Sequence, residues 1–99
     1  GFVIIDPLIF KSDYSVKIRK EDLYSIRAED IEDIITAVIV TIPEDPYKMT
    51  ANLRGPLLIN LKSRLARQLV LADDTYTTRH EIIFSFSPSR NVVDEKVVV

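Results

Sequence analysis

Apolar positions along this 99-residue chain recur at the spacings of strands more often than at those of helices. Phe2 to Ile5 and Thr36 to Ile42 are nearly continuous apolar, β-branched runs, the pattern of strands covered on both faces. Tyr14, Val16 and Ile18 alternate with Ser15, Lys17 and Arg19, which predicts a strand with one wet face. Leu57 to Asn60 and Arg67 to Leu71 flank a short polar stretch centred on Lys62-Ser63-Arg64, so a hairpin with a basic turn is expected there. Ile82, Phe84 and Phe86 alternate with Ile83, Ser85 and Ser87, which gives the segment from Glu81 to Val99 a further strand, in the sheet or along an exposed edge.

Two short segments read as helical. Lys20 to Ser25 is followed by Ile26, three positions beyond Leu23, and Glu29 to Ile35 places Ile31, Ile34 and Ile35 on one helical face. One or two turns cannot persist alone in water, so both must dock their apolar sides on a sheet, with Glu29, Asp30, Glu32 and Asp33 outward. Short strands, adjacent in sequence and joined by polar turns, predict a mostly β fold: a small antiparallel barrel-like or sandwich domain with one or two short helices.

Composition bounds the size of that domain. At 46% hydrophobic residues, the chain can fill one core and no second. The lack of cysteine excludes thiol catalysis, cysteine-ligated zinc and disulfides, and is compatible with a cytoplasmic setting. No apolar run approaches the roughly 20 residues of a membrane helix, so no membrane partner is expected. No Gly-x-Ser-x-Gly elbow, glycine-rich phosphate loop or histidine-base pairing is present, and no cofactor is expected. Asp73, Asp74 and His80 are competent metal ligands in type, and a metal-dependent enzyme using them is the minor alternative. Asp73-Asp74-Thr75 reads equally as a turn, and His80 is the single histidine.

The charge is small in sum and uneven in place. From Glu21 to Asp45 there are eight acids against Arg27, whereas Ala51 to Val70 holds Arg54, Lys62, Arg64 and Arg67 and no acid. An acidic stretch of that kind steers a basic partner and repels nucleic acid, and two solvated faces conferring solubility are the plainer alternative. Few aromatics are interleaved with the bases, so direct nucleic-acid binding is not expected.

At the end of the acidic stretch, Thr41-Ile42-Pro43-Glu44-Asp45-Pro46-Tyr47 joins a strand pattern to a stiff corner. Pro43 and Pro46 fix their own φ and push the preceding residues toward extended geometry, which holds Glu44 and Asp45 on a rigid loop. That loop is either a recognition surface or a punctuated turn whose acids face water. Met49 and Asn52 follow; Met49 either lends an adaptable apolar group to a surface or fills the core, and Asn52 either recognises or satisfies a turn.

These segments together resemble the FliW family of flagellar assembly factors. The likeness rests on Phe2-Val3-Ile4-Ile5-Asp6-Pro7 with Asp13-Tyr14, on Thr41-Ile42-Pro43-Glu44-Asp45-Pro46, on Met49-Thr50-Ala51-Asn52-Leu53, on Arg67-Gln68-Leu69-Val70-Leu71, and on Asp73, Tyr76 and Thr78-Arg79-His80. Members of that family begin with several dozen more residues, so the resemblance predicts a β domain over residues 1–80, incomplete at its N-terminus, followed by a tail over 81–99. It implies a cytoplasmic, non-enzymatic regulator that binds flagellin and also CsrA, a basic translational repressor, with interface residues among Glu44, Asp45, Met49, Asp73, Tyr76 and Arg79. The alternative is a structural part of a β domain with no independent binding, able to self-associate through an open sheet edge.

Overall fold

One long strand organises the rest. In the computed structural model, which describes residues 2–72, 74–82 and 97–98, strand β2 runs Ile34–Thr41 and pairs with three neighbours. β1 (Val3–Ile5) lies antiparallel along its second half, with Val3 opposite Val40 and Ile5 opposite Val38. β3 (Thr50–Ala51) meets Val40 and Thr41, and β4 (Leu57–Asn60) pairs with Ile34 to Ala37. β5 (Ala66–Gln68) completes the hairpin with β4, β6 (His80–Glu81) pairs with β3, and β7 (Val97–Val98) pairs with β1. Every pairing is antiparallel, and the sheet order is β5-β4-β2-β1-β7 with β3 and β6 branching from β2. The expected mostly β, antiparallel fold is thus the one formed.

Register divides the sheet into two faces, because cross-strand partners share a side. Val38 and Val40 with Ile5 and Ala51 face the main core, where Tyr14, Met49, Leu53 and Ile82 join them. A second cluster of Ile26, Leu58 and Leu69 lies under the helix, and Val16 packs against both clusters. On the opposite face Ile35 stands across from Ile59 and Ile4 across from Ile39; these are half-buried except Ile35, which is 44% exposed.

Helix α1 (Lys20–Ser25) forms where the apolar spacing placed it. The Asp22 carboxylate accepts from the Arg19 N–H at its start (3.0 Å), while the Asp22 N–H donates to the Arg19 carbonyl (3.0 Å). At its end Arg27 N–H donates to the Tyr24 carbonyl and Ala28 N–H to the Leu23 carbonyl, a Schellman closure that holds Arg27 at φ 56°.

Three expectations are corrected. Glu29 to Ile35 is no helix: only Ile31–Asp33 makes a 3-10 turn, capped by the Asp30 carboxylate on Glu32 N–H, and Ile34 and Ile35 already belong to β2. Both are β-branched, and pairing with β4 gives their backbone more partners than one further helical turn could. Tyr14 to Ile18 keeps its alternation of burial but is a strap outside any ladder among the described residues. The pattern reported side chains reaching the core, which a strap can satisfy without a neighbouring strand. The second arm of the hairpin leaves the ladder at Gln68; beyond it Leu69 and Leu71 N–H still donate to the Pro56 and Arg54 carbonyls (2.8 and 2.9 Å). Of the alternating segment Ile82 to Ser87, Ile82 is buried and residues 83–87 lie outside the described residues.

Candidate protein-binding surface

The acidic corner is braced by its own backbone. Asp45 sits in extended geometry before a 3-10 turn, Pro46–Lys48, and its Oδ1 accepts from Tyr47 N–H at 3.0 Å. Its carbonyl also accepts from Lys48 N–H at 3.0 Å. Proline at the first position of the turn donates nothing and has φ already set, so the corner needs no contact with the rest of the protein to hold its shape. Glu44 and Asp45 are exposed, and so is Tyr47 at 86%. Sequence reasoning passed over Tyr47, whose one signal was its place in a turn between Pro46 and Lys48, directly after two acids.

Met49, next along the chain, turns inward. It is 9% exposed in the main core, and its carbonyl accepts from Ile82 N–H at 3.1 Å. Tyr76 also faces the body of the protein: its hydroxyl accepts from Ser15 N–H (3.0 Å) and its ring lies 4.6 Å from that of Tyr14, tilted by 54°. Tyr14 in turn donates its hydroxyl to the Leu53 carbonyl at 2.6 Å. Burial, with the neighbouring Tyr76 adding to it, pushes the Tyr14 hydroxyl up to about 12. The two tyrosines therefore fasten the strap to the core. Arg79 is exposed in the turn before β6, and Asp73 lies outside the described residues. Because Ala51 stands opposite His80 and Thr50 opposite Glu81, the short β3–β6 ladder places Arg79 and the Glu44–Asp45 corner at opposite ends.

The acidic and basic stretches fold onto each other. Lys62 Nζ lies 3.3 Å from an Asp33 carboxylate oxygen, and Arg67 Nε lies 3.6 Å from one of Asp22, whose side chain is largely covered. Arg54 reaches Asp74 at 3.3 Å and donates its Nε–H to the Leu71 carbonyl at 2.9 Å. Six of the eight acids between Glu21 and Asp45 stay exposed, and Arg64 remains an exposed base at the hairpin turn, at φ 61°.

A buried polar knot seals this contact. Asn60, 2% exposed, donates Nδ2–H to the Ile26 carbonyl (2.9 Å) and accepts on Oδ1 from Lys62 N–H (3.0 Å) and Ser63 N–H (3.4 Å). Ser63 Oγ donates to the same Ile26 carbonyl at 2.8 Å. Asn52 has the turn role: its Oδ1 accepts from Arg54 N–H (3.1 Å) and Gly55 N–H (2.8 Å). A Cβ on Gly55 would lie 2.9 Å from both Asn52 Nδ2 and Gln68 Nε2, so a larger residue there would have to displace these two side-chain amides.

Of the metal alternative, Asp74 is engaged with Arg54, and His80 stacks on Phe10 with ring centroids 5.9 Å apart. Among the described residues no group of three or more carboxylate, histidine or cysteine side chains is gathered as a metal site, and no helix is long and apolar enough to cross a membrane.

A family model described as FliW protein matches residues 1–82, most of the chain and all of its described sheet except β7. The chain belongs to the FliW family. It is 42% identical to the flagellar assembly factor FliW of Thermoanaerobacter pseudethanolicus over 83 residues, which cover 84% of this chain and 55% of that relative. With the flagellar assembly factor FliW of Treponema denticola it shares 44% identity over 83 residues, covering 84% of this chain and 56% of that one. A crystal structure of the flagellar assembly factor FliW superposes with a TM-score of 0.78 at 29% identity, over 86% of this chain and 60% of the other. The chain thus spans just over half the length of the FliW relatives it matches.

Proposed function

We propose that this chain carries the function its resemblance implied: a non-enzymatic, cytoplasmic protein-binding regulator of flagellum assembly that binds flagellin and antagonises the repressor CsrA. The observation that carries this reading furthest is the Glu44–Asp45 corner, exposed and held by its own hydrogen bonds within a chain of the FliW family. A preformed loop loses little freedom on binding, and exposed carboxylates complement a basic partner, raising the association rate and rejecting partners of like charge. Tyr47, beside the two acids, adds the kind of exposed aromatic that anchors interfaces. Arg79 remains a candidate at a second position, at the far end of the β3–β6 ladder, and Asp73 is a candidate on the resemblance alone; Met49 and Tyr76, which pack inward, would act through packing and not through direct contact.

The test is calorimetric titration of the chain with purified CsrA and, separately, with flagellin. Glu44→Lys combined with Asp45→Asn removes charge while leaving an oxygen to cap the turn. Weaker CsrA binding with an unchanged melting curve is expected, and added salt should slow association. Unchanged affinity of the double variant would sink the assignment of this corner. A folded chain that binds neither protein would favour the other reading, a structural part of a β domain without independent binding.

A further inference from the structure

Of the bases Arg54, Lys62, Arg64 and Arg67, the first has a role that its charge does not describe. Arg54 holds both backbone groups of Leu71: its carbonyl accepts from Leu71 N–H (2.9 Å), and its Nε–H donates to the Leu71 carbonyl (2.9 Å). Its Nη2 reaches the Ala72 carbonyl at 3.5 Å and an Asp74 carboxylate oxygen at 3.3 Å. Arg54 is itself anchored, because Asn52 Oδ1 accepts from its N–H (3.1 Å) and Asn52 N–H donates to the Ile39 carbonyl in β2 (3.0 Å). A line of hydrogen bonds therefore runs from the central strand, through Asn52 and the guanidinium, to the chain that follows β5.

That chain leads into the turn that carries Arg79. Beyond Asp74 the turn is held in its middle and at its end: Tyr76 accepts from Ser15 N–H, Leu53 N–H donates to the Thr77 carbonyl (3.1 Å), and His80 enters the ladder opposite Ala51. Leu53 and Arg54 are sequence neighbours, so one anchored segment fixes both the entry and the middle of the turn. On the reading of Arg79 as a partner contact, we infer that Arg54 is the positioning residue of that second position: its fork of hydrogen bonds to the Leu71 and Ala72 carbonyls sets where the turn begins, and so where Arg79 is presented. The backbone bonds carry this role and the ion pair does not, since the Asp74 side chain is 93% exposed and a pair of that kind contributes little in water. Arg79 is a base at the far end of the β3–β6 ladder from the acidic corner, so the turn suits flagellin and not the basic CsrA, which like charge rejects.

Arg54→Met keeps an unbranched side chain and removes the fork. Amide exchange followed by NMR should run about tenfold faster at Leu53 and Leu71, while the amides paired between β1 and β2 keep their rates. Arg54→Lys keeps the charge and its reach toward Asp74 but lacks the planar fork, so it should resemble Arg54→Met; Asp74→Asn should leave the rates unchanged. In calorimetric titrations, flagellin affinity should fall about tenfold in Arg54→Met, as in Arg79→Glu, with CsrA affinity unchanged. Equal losses for both partners, unchanged exchange at Leu53 and Leu71, or full rescue by Arg54→Lys would overturn the positioning role. So would flagellin binding that Arg79→Glu weakens and Arg54→Met does not. Should the chain bind neither protein, or Arg79→Glu leave flagellin binding unchanged, the reading of Arg79 fails, and the exchange rates alone decide whether Arg54 sets the turn.

Discussion

The acidic corner and the hairpin tip are both polar turns, yet they hold their shapes by opposite means. At the corner, Asp45 bonds only to residues two and three positions ahead, and Glu44 and Tyr47 are left to solvent. At the tip, Asn60 and Ser63 bond both to their own turn and to the carbonyl of Ile26 at the end of α1. A turn that closes on itself can change its outward side chains freely, whereas one that closes on a distant element cannot. The difference separates positions available for recognition from positions committed to folding.

The largest effect should come from the tip. Asn60→Ala leaves part-buried turn amides without an acceptor and removes a buried donor from the Ile26 carbonyl, at a cost of about 2–3 kcal/mol in chemical denaturation. A loss below that of an ordinary surface substitution would remove the contrast between the two turns. Next is Tyr14→Phe, which strips the Leu53 carbonyl of its partner and should cost about 1–2 kcal/mol. It also has a pH signature. Because the folded hydroxyl is held up at about 12 while the unfolded one titrates near the ordinary value of about 10, the unfolded chain loses its proton first. The stabilisation is complete below pH ~10 and fades as pH rises toward ~12, so the melting temperature should fall over that window more steeply in the wild type than in Tyr14→Phe.

A smaller and opposite change is expected at Arg64. Its left-handed backbone carries a steric cost that glycine would not, so Arg64→Gly should stabilise the hairpin by about 0.5–1 kcal/mol, read as a higher melting temperature. The smallest effect belongs to the corner: Glu44→Lys should stay within about 0.5 kcal/mol of the wild type. A marked loss there would show that the corner leans on the body of the protein after all.

Much of the sheet was legible because its residues state their environment. The β-branched run of β2, the two arms of the hairpin and the helix at Lys20–Ser25 each carry a period that tertiary packing reinforced. Ile31, Ile34 and Ile35 misled because three isoleucines at helical spacing are also strand residues, and pairing with β4 decided between the two. Tyr14 to Ile18 misled because alternation reports burial and says nothing of backbone partners. At the candidate surface, Glu44 and Asp45 were readable from flanking prolines that set the backbone locally. Met49 was not, since an apolar residue after an exposed turn gives no sign of which way it faces; the main core took it. The pairing of Asp22 with Arg67 and of Asp33 with Lys62 joins residues far apart in sequence, which only the fold could bring together.

The double load on the Ile26 carbonyl also bears on the order in which the chain assembles. The bonds inside the hairpin tip close over a few residues, whereas those from Asn60 and Ser63 to Ile26 span 34 and 37 residues and must await closure of a far longer loop. The hairpin can therefore form as a local nucleus with its polar groups still hydrated, and the seam along α1 closes onto it later. Run backward, that seam is the natural first point of opening, so amides around Ala28 should exchange with solvent sooner than those at the centre of β2.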